Sequence, residues 1–171
     1  MITCEEVSAI LSYNEMTGDL VWKINRGSSA RQGQIAGSVS SNKNGKRYIR
    51  VMVNYKMYMA HNLIYLLKTG QFSNGILDHI DGCGTNNKWD NLRVVTNAEN
   101  RQNTRKPKNN TSGVVGVYWA KNIGKWEDSF GLNNKKNLIG YFSEKEDAIA
   151  ARRNAEIRCN FHPNHGTDRS L

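Results

Sequence analysis

Residues 77–103, LDHIDGCGTNNKWDNLRVVTNAENRQN, constrain this chain more than any other stretch. Asparagine stands at positions 86, 87, 91, 97, 100 and 103. It favours neither helix nor strand interiors, so so many in one window need a reason. The residues between them sort into elements. GILDHI reads as a strand, DGCGTNNKWDN as a loop, LRVVT as a strand and NAENRQNTR as a helix. Asn97 is expected to cap that helix, with Asn100 three positions on, in the first turn. Asn91, just before the second strand, is placed to bond backbone across the loop or to orient His79.

Charge narrows the class of partner. The 171 residues carry a formal net charge of +9. No acid occurs between Asp19 and Asp78, a stretch holding Lys23, Arg26, Arg31, Lys43, Lys46, Arg47, Arg50, Lys56 and Lys68. A second acid-free run, from Asn100 to Trp126, holds Arg101, Arg105, Lys106, Lys108, Lys121 and Lys125. Protein surfaces usually mix signs. Two long single-sign runs point to a polyanion, most often nucleic acid.

Other classes fall away. No apolar run approaches the ~20 residues that span a bilayer. The first residues, MITCEEVSAIL, carry acids where a signal peptide has a basic region. The expectation is a cytoplasmic protein with no membrane partner and no obligate protein partner. Cys4, Cys83 and Cys159 are odd in number, widely spaced and lack a C-x-x-C pair. That argues against a disulfide framework and against a zinc ribbon.

The remaining chain reads as an α+β protein. Val7, Ile10 and Leu11 have helical spacing, so CEEVSAILSY is expected as a helix. NEMTGDLVWK reads as turn and strand. GQIAGSV and RYIRVMVNYKMYMA alternate as two strands around the hairpin signal Asn44-Gly45. Continuous alternation puts Val51, Val53, Tyr55, Met57 and Met59 on one face. HNLIYLLKTG returns to helical period and ends at Gly70, a C-terminal cap. The basic segment RKPKNNTSG reads as a linker. VVGVYWAK, KWEDSFGL and KNLIGYF follow as three strands, then the helix SEKEDAIAARRNAEIRCNF. A capping box of Ser143 and Glu146 is expected there, as is a small-residue stripe of Ala148, Ala151, Ala155 and Cys159 against the sheet. His162 and His165 read as part of a solvated tail, and His61 as a structural histidine.

Asp78, His79 and the amides match what phosphodiester hydrolysis requires. A base must activate water, and a hard divalent ion must hold phosphate and leaving oxygens. Magnesium keeps several waters and needs only one or two protein oxygens. On an extended segment Asp78 and His79 point to opposite sides, so metal and base can flank one phosphate.

The pattern DHIDG, then NN, then DNLR, then EN before RQN resembles the HNH nuclease family, the ββα-metal fold. YNEMTGDLVWK, AGSV and MAHNLIYLLKTG extend the likeness, over about residues 5–106, to the phage- and intron-type homing endonucleases. The resemblance implies a DNA endonuclease using one Mg2+ or Mn2+ ion. It implies Asp78 and Asn100 as metal ligands, His79 as general base and Asn91 as the central asparagine. Asn100 stands where many members have His, which favours magnesium or manganese over zinc or nickel. HNLIY stands where relatives show His-Arg, so Asn62 is expected to make at most a neutral contact with DNA there.

The segment from about 110 to 165 resembles the plant ethylene-response-factor (Apetala) DNA-binding domain. SG-x-x-GV, GKW, LIGYF and E-x-A-x-x-A carry the likeness. It implies a three-stranded sheet that enters the major groove, backed by one helix. Glu127 and Asp128 on the middle strand would repel phosphate or accept from cytosine.

The domains expected are therefore a nuclease domain at 1–106 with its ββα core at about 76–104, a linker at 107–112, the sheet domain at 113–165 and a tail at 166–171. The partner expected is double-stranded DNA, held by Arg47, Arg50, Lys56, Arg93, Arg101, Arg105, Lys106, Trp119, Lys121, Lys125, Lys135 and Lys136. The alternative is a DNA-binding regulator whose nuclease centre is dead. Phosphate contacts steepen the salt dependence of affinity, by about 0.9 in log–log slope per contact on duplex DNA. Charge reversal at Arg47 and Arg50 should weaken binding to unrelated sequences alike and flatten that slope. A salt titration yielding the parent slope would remove both residues from the DNA surface.

Overall fold

Thr3 starts the first element. Its hydroxyl accepts from the Glu6 N–H at 3.2 Å, and the Glu6 carboxylate accepts from the Thr3 N–H at 2.8 Å. This capping box opens α1, Cys4–Ile10. The helix stops three residues before the expected end. Leu11–Asn14 instead form β1, antiparallel to β2, Asp19–Trp22. The computed structural model describes residues 1–43, 45–102, 106–107, 109–132, 135–159 and 161–167.

β3 (Ser38–Ser41), β4 (Arg47–Val53) and β5 (Lys56–Met59) form an antiparallel sheet in that order. The run RYIRVMVNYKMYMA is not one strand. It reverses at Asn54 and Tyr55, with φ of 48° and 61°. Continuous alternation failed because a two-residue turn resets the parity. Met52 now pairs with Met57 on the outer face, and Val51 with Tyr58 on the inner one. α2, Ala60–Thr69, packs on β4, β5 and α1, and ends at Gly70 in the left-handed region as expected. Val7, Leu11, Leu20, Val51, Val53, Leu63 and Ile64 fill the core beneath it. β6 (Ile76–His79) and β7 (Leu92–Val95) pair antiparallel, and α3, Asn97–Gln102, follows. Thr96 caps α3, not Asn97. Its hydroxyl accepts from the Glu99 N–H at 3.2 Å, and Glu99 accepts from the Thr96 N–H at 2.7 Å.

Contacts divide the chain into two units, Met1–Val95 and Thr96–Arg169. In the second, β8 (Val117–Ala120), β9 (Lys125–Leu132) and β10 (Lys135–Phe142) form an antiparallel sheet with β9 central. α4, Lys145–Arg158, packs across all three strands. The expected α+β class is borne out, including the small three-stranded sheet on one helix. The Ser143–Glu146 box is not: Glu144 is the N-cap and its side chain makes no cap bond. The stripe is interrupted as well. Arg152, 2% exposed, lies between the buried Ala148 and Ala155.

Arg152 organises this unit. Its Nε donates to Glu156 Oε1 at 2.7 Å and its Nη1 lies 3.8 Å from Asp128 Oδ1. Phe130 and Phe161 present their rings to the guanidinium at 5.4 and 5.2 Å. Asp128 is fully buried, and burial pushes its carboxyl up to about 6 against the pull of Arg152, with Glu156 adding to the rise. Glu127 accepts Lys136 Nζ at 2.6 Å. Both acids expected to face DNA therefore serve cations of their own unit, Glu127 the exposed Lys136 and Asp128 the buried Arg152. His165 is no tail residue either: it lies 3.2 Å from Arg152 Nη2 and edge-on to Phe161. Removing one partner of a buried pair leaves an uncompensated charge, at roughly 3–5 kcal/mol. Arg152→Met should cost that much in chemical denaturation, and adding Asp128→Asn should recover part of it.

Candidate active site

The loop between β6 and β7 is shaped by Asp81. One carboxylate oxygen accepts from the Cys83 N–H at 2.8 Å and from Asn91 Nδ2 at 2.9 Å. The other accepts from Asn86 Nδ2 at 2.7 Å. Asn91 Oδ1 in turn accepts from the Asp81 N–H at 3.0 Å, and its Nδ2 also reaches Asn86 O at 2.8 Å. Burial alone would raise the Asp81 carboxyl. The bonds from Cys83, Asn86 and Asn91, with the nearby His79, outweigh it and hold it below its ordinary value. Of the two roles open to Asn91 in the sequence, bonding across the loop is the one made.

Two outside contacts fix the same loop. Tyr13 on β1 donates its hydroxyl to Asn87 O at 3.2 Å and accepts from the Trp89 N–H at 2.8 Å. A Cβ at Gly18 would lie 2.7 Å from Lys88 N, and its φ is +84°, so the β1–β2 turn can approach only as glycine. On the other side, Gly84 lies against the Arg47 carbonyl and the Tyr48 ring.

This frame positions the imidazole. His79 is 4% exposed and Asn87 1%. His79 Nε2 lies 3.0 Å from Asn87 Oδ1. An amide oxygen only accepts, so this contact suits an Nε2 that carries a proton. His61 meets the His79 ring edge-on at 5.0 Å between centroids, and Tyr48 tilts against it at 6.2 Å. Asp78, next in the chain, faces Arg93 across the ladder. Arg93 Nη2 and Nε donate to Asp78 Oδ2 at 3.0 and 3.3 Å. Asn100, in the first turns of α3, is half-buried and donates its backbone N–H to Thr96 O at 3.0 Å. It belongs to the second unit and is described there alone.

Residues 58–102 match the HNH endonuclease family. The chain is similar to protein 3.8 of Escherichia phage T7, at 34% identity over 84 residues, 48% of this chain and 69% of that protein. The chain belongs to the HNH endonuclease family. No solved structure matches it significantly. The family match ends at residue 102 and does not reach the β8–β10 sheet. No helix among the described residues is long and apolar enough to cross a membrane.

The HNH segment carries the carboxylate of Asp78 and the amide of Asn100 beside the imidazoles of His61 and His79. Among the described residues no three His, Cys, Asp or Glu gather. A carboxylate and an amide suit a hard, water-rich ion such as Mg2+ better than a His/Cys cage suits it. The expected DNA residues lie as follows. Arg47 and Lys56 are exposed on the N-terminal sheet, and Arg50 is half-buried with an unpartnered Nε. Arg93 is engaged with Asp78. Trp119, Lys121, Lys125 and Lys135 are exposed on the second sheet, where Trp119 packs edge-on to Trp126. Lys136 is exposed but tied to Glu127 and to the Tyr118 hydroxyl. Lys106 is half-buried. Arg105 and the Arg101 side chain lie outside the described residues.

Asn87, Asp81 and Tyr13 carried no role in the sequence reading, and Tyr48 stood there only as an aromatic open to RNA. The NN pair eight residues after His79 was the available signal for Asn87. His61 is structural, as expected, but it belongs to the site. Burial, helped by the charge of His79, pushes it down to about 4. The unfolded chain takes up that proton near 6.5, the folded chain only near 4, so stability is full above pH 6.5 and falls as pH drops through this window. The loss should be on the order of 3 kcal/mol by pH 4. His61→Gln should flatten the pH dependence of thermal unfolding there; an unchanged acid loss would assign it to another group.

Proposed function

We propose that this chain is a metal-dependent DNA endonuclease, of the homing or nicking kind encoded by a phage or mobile element and acting inside the host cell. The observation that carries the reading is the buried His79, its Nε2 3.0 Å from Asn87 Oδ1, beside Asp78 in a segment matching the HNH family. His79 Nδ1 takes the proton of the attacking water. Asn87 Oδ1 holds the Nε2 proton and steadies the imidazolium that forms. Arg93 orients the Asp78 carboxylate. Asp78 and Asn100 are the residues that would hold one Mg2+ or Mn2+ ion. Bound there, the ion would supply charge for a phosphate oxygen and the leaving oxygen. Asn91 shapes the loop that carries Asn87.

Double-stranded DNA is the substrate in this reading. The basic N-terminal sheet, through Arg47, Arg50 and Lys56, tracks phosphates. The β8–β10 sheet serves as a second docking surface of the ethylene-response-factor kind, with Trp119, Lys121, Lys125 and Lys135 exposed and a boundary to the nuclease part at about 107–112. The exposure of those four side chains supports this role.

Supercoiled plasmid should be cut with Mg2+ or Mn2+ and spared in excess chelator. His79→Ala should lower the single-turnover rate roughly 100- to 10,000-fold at little changed affinity. Asp78→Ala and Asn100→Ala should each abolish metal-dependent cutting. Asn87→Ala should slow the reaction and move the pH–rate profile, since the Nε2 partner is lost. Full cleavage in chelator would defeat the metal reading. A protein that binds the plasmid but never cuts it is the dead-centre regulator.

A further inference from the structure

The outer face of the N-terminal sheet carries a feature that cleavage does not use. An open concavity of about 530 Å³ lies between residues 22–38 and the β4–β5 hairpin. Arg26, Arg50, Trp22, Met52, Met57 and Tyr55 line it, and no lining residue is acidic.

The two arginines are poised differently. Arg26 is held in place: its Nη2 donates to Asn54 Oδ1 at 3.1 Å and its guanidinium lies 5.8 Å over the Trp22 ring. Arg50 has a buried Nε with no partner. Both keep donors for an anion, and a guanidinium matches phosphate geometry.

The apolar part is as specific. Met52 and Met57 pair across the hairpin and are 58% and 51% exposed. Tyr55 is 99% exposed and sits at φ +61°, a conformation that a two-residue turn normally gives to glycine. A bulky aromatic held there, pointing into water, gains nothing from the fold. Such an outlier points to a use.

We propose that this concavity takes one unpaired nucleotide of the DNA, with Arg26 and Arg50 on its phosphate and Tyr55, Met52 and Met57 on its base. A paired duplex hides its base faces, and a concave surface does not enter a groove. An unpaired base offers a flat apolar face to the tyrosine and the thioethers, and the phosphate next to it meets the guanidinia. The preferred substrate is then DNA with an unpaired position, such as a gap, bulge or frayed junction. The proposal rests on DNA being the partner.

Fluorescence anisotropy of the full chain, without metal, compares a paired duplex with the same duplex carrying a short gap. A 2-aminopurine in the gap reports stacking. The gapped DNA should bind about tenfold tighter, and the 2-aminopurine emission should be quenched. Tyr55→Gly relieves the backbone at that position, so the fold is kept, and its thermal unfolding verifies this. It should lose the preference and the quench. Arg26→Ala should lower the affinity for gapped DNA more than for duplex. Arg31→Ala removes a charge outside the concavity and should leave the ratio unchanged. Equal affinity for both DNAs, or a preference that survives Tyr55→Gly, overturns the proposal. A protein that prefers gapped DNA through Tyr55 but never cuts would overturn the nuclease reading and leave this one standing.

Discussion

The candidate site depends on one carboxylate whose bonds all lie within its own loop. Asp81 gathers the Cys83 N–H, Asn86 and Asn91, and its own N–H closes the pair with Asn91. The loop it shapes buries little apolar surface, so hydrogen bonds to a charged group, at about 1.5–3 kcal/mol each, decide its conformation. Asn87 stands on that loop, and its Oδ1 lies 3.0 Å from His79 Nε2. The dependence runs from a loop acid, through backbone shape, to the partner of the His79 imidazole. Tyr13, Gly18 and Tyr48 brace the same loop from outside the segment 58–102 that matches the HNH family. The catalytic segment is thus short, but its geometry is built with strands laid down earlier in the chain.

Much of this was legible. The strand–loop–strand–helix order of residues 76–102, the Gly70 cap, the second three-stranded sheet and its helix all followed from periodicity and turn chemistry. What failed has a common cause: competition between signals that are equally good locally. Thr96 and Asn97 are both acceptable caps, and the outcome turned on Glu99, which completes a box with Thr96 alone. Asn44-Gly45 is a strong hairpin signal, and it drew attention from Asn54-Tyr55, where a tyrosine occupies the place of a glycine. Within the site, Asp78 and His79 were visible because two reactive side chains adjoin. Asn87 was one amide among six, and only the fold distinguishes the one that meets an imidazole.

The charges carry the last step. The sequence leaves residues 20–77 without an acid, and most ion pairs among the described residues are made outside that stretch. Glu127 takes Lys136, Asp128 and Glu156 take Arg152, Asp78 takes Arg93 and Glu15 takes Lys68. These pairs neutralise acids within their own units. Among the described residues, Arg26, Arg47, Arg50 and Lys56 pair with none of them. The cations of the N-terminal sheet therefore face water with their charge uncancelled at close range. Attraction between exposed charges fades beyond about 8 Å at physiological ionic strength. That sheet can draw in a polyanion from solution, but only groups in contact can choose among polyanions. In the reading proposed here for DNA, that choice falls on the N-terminal sheet to the side chains around Tyr55, and at the candidate site to the pair Asp78 and His79.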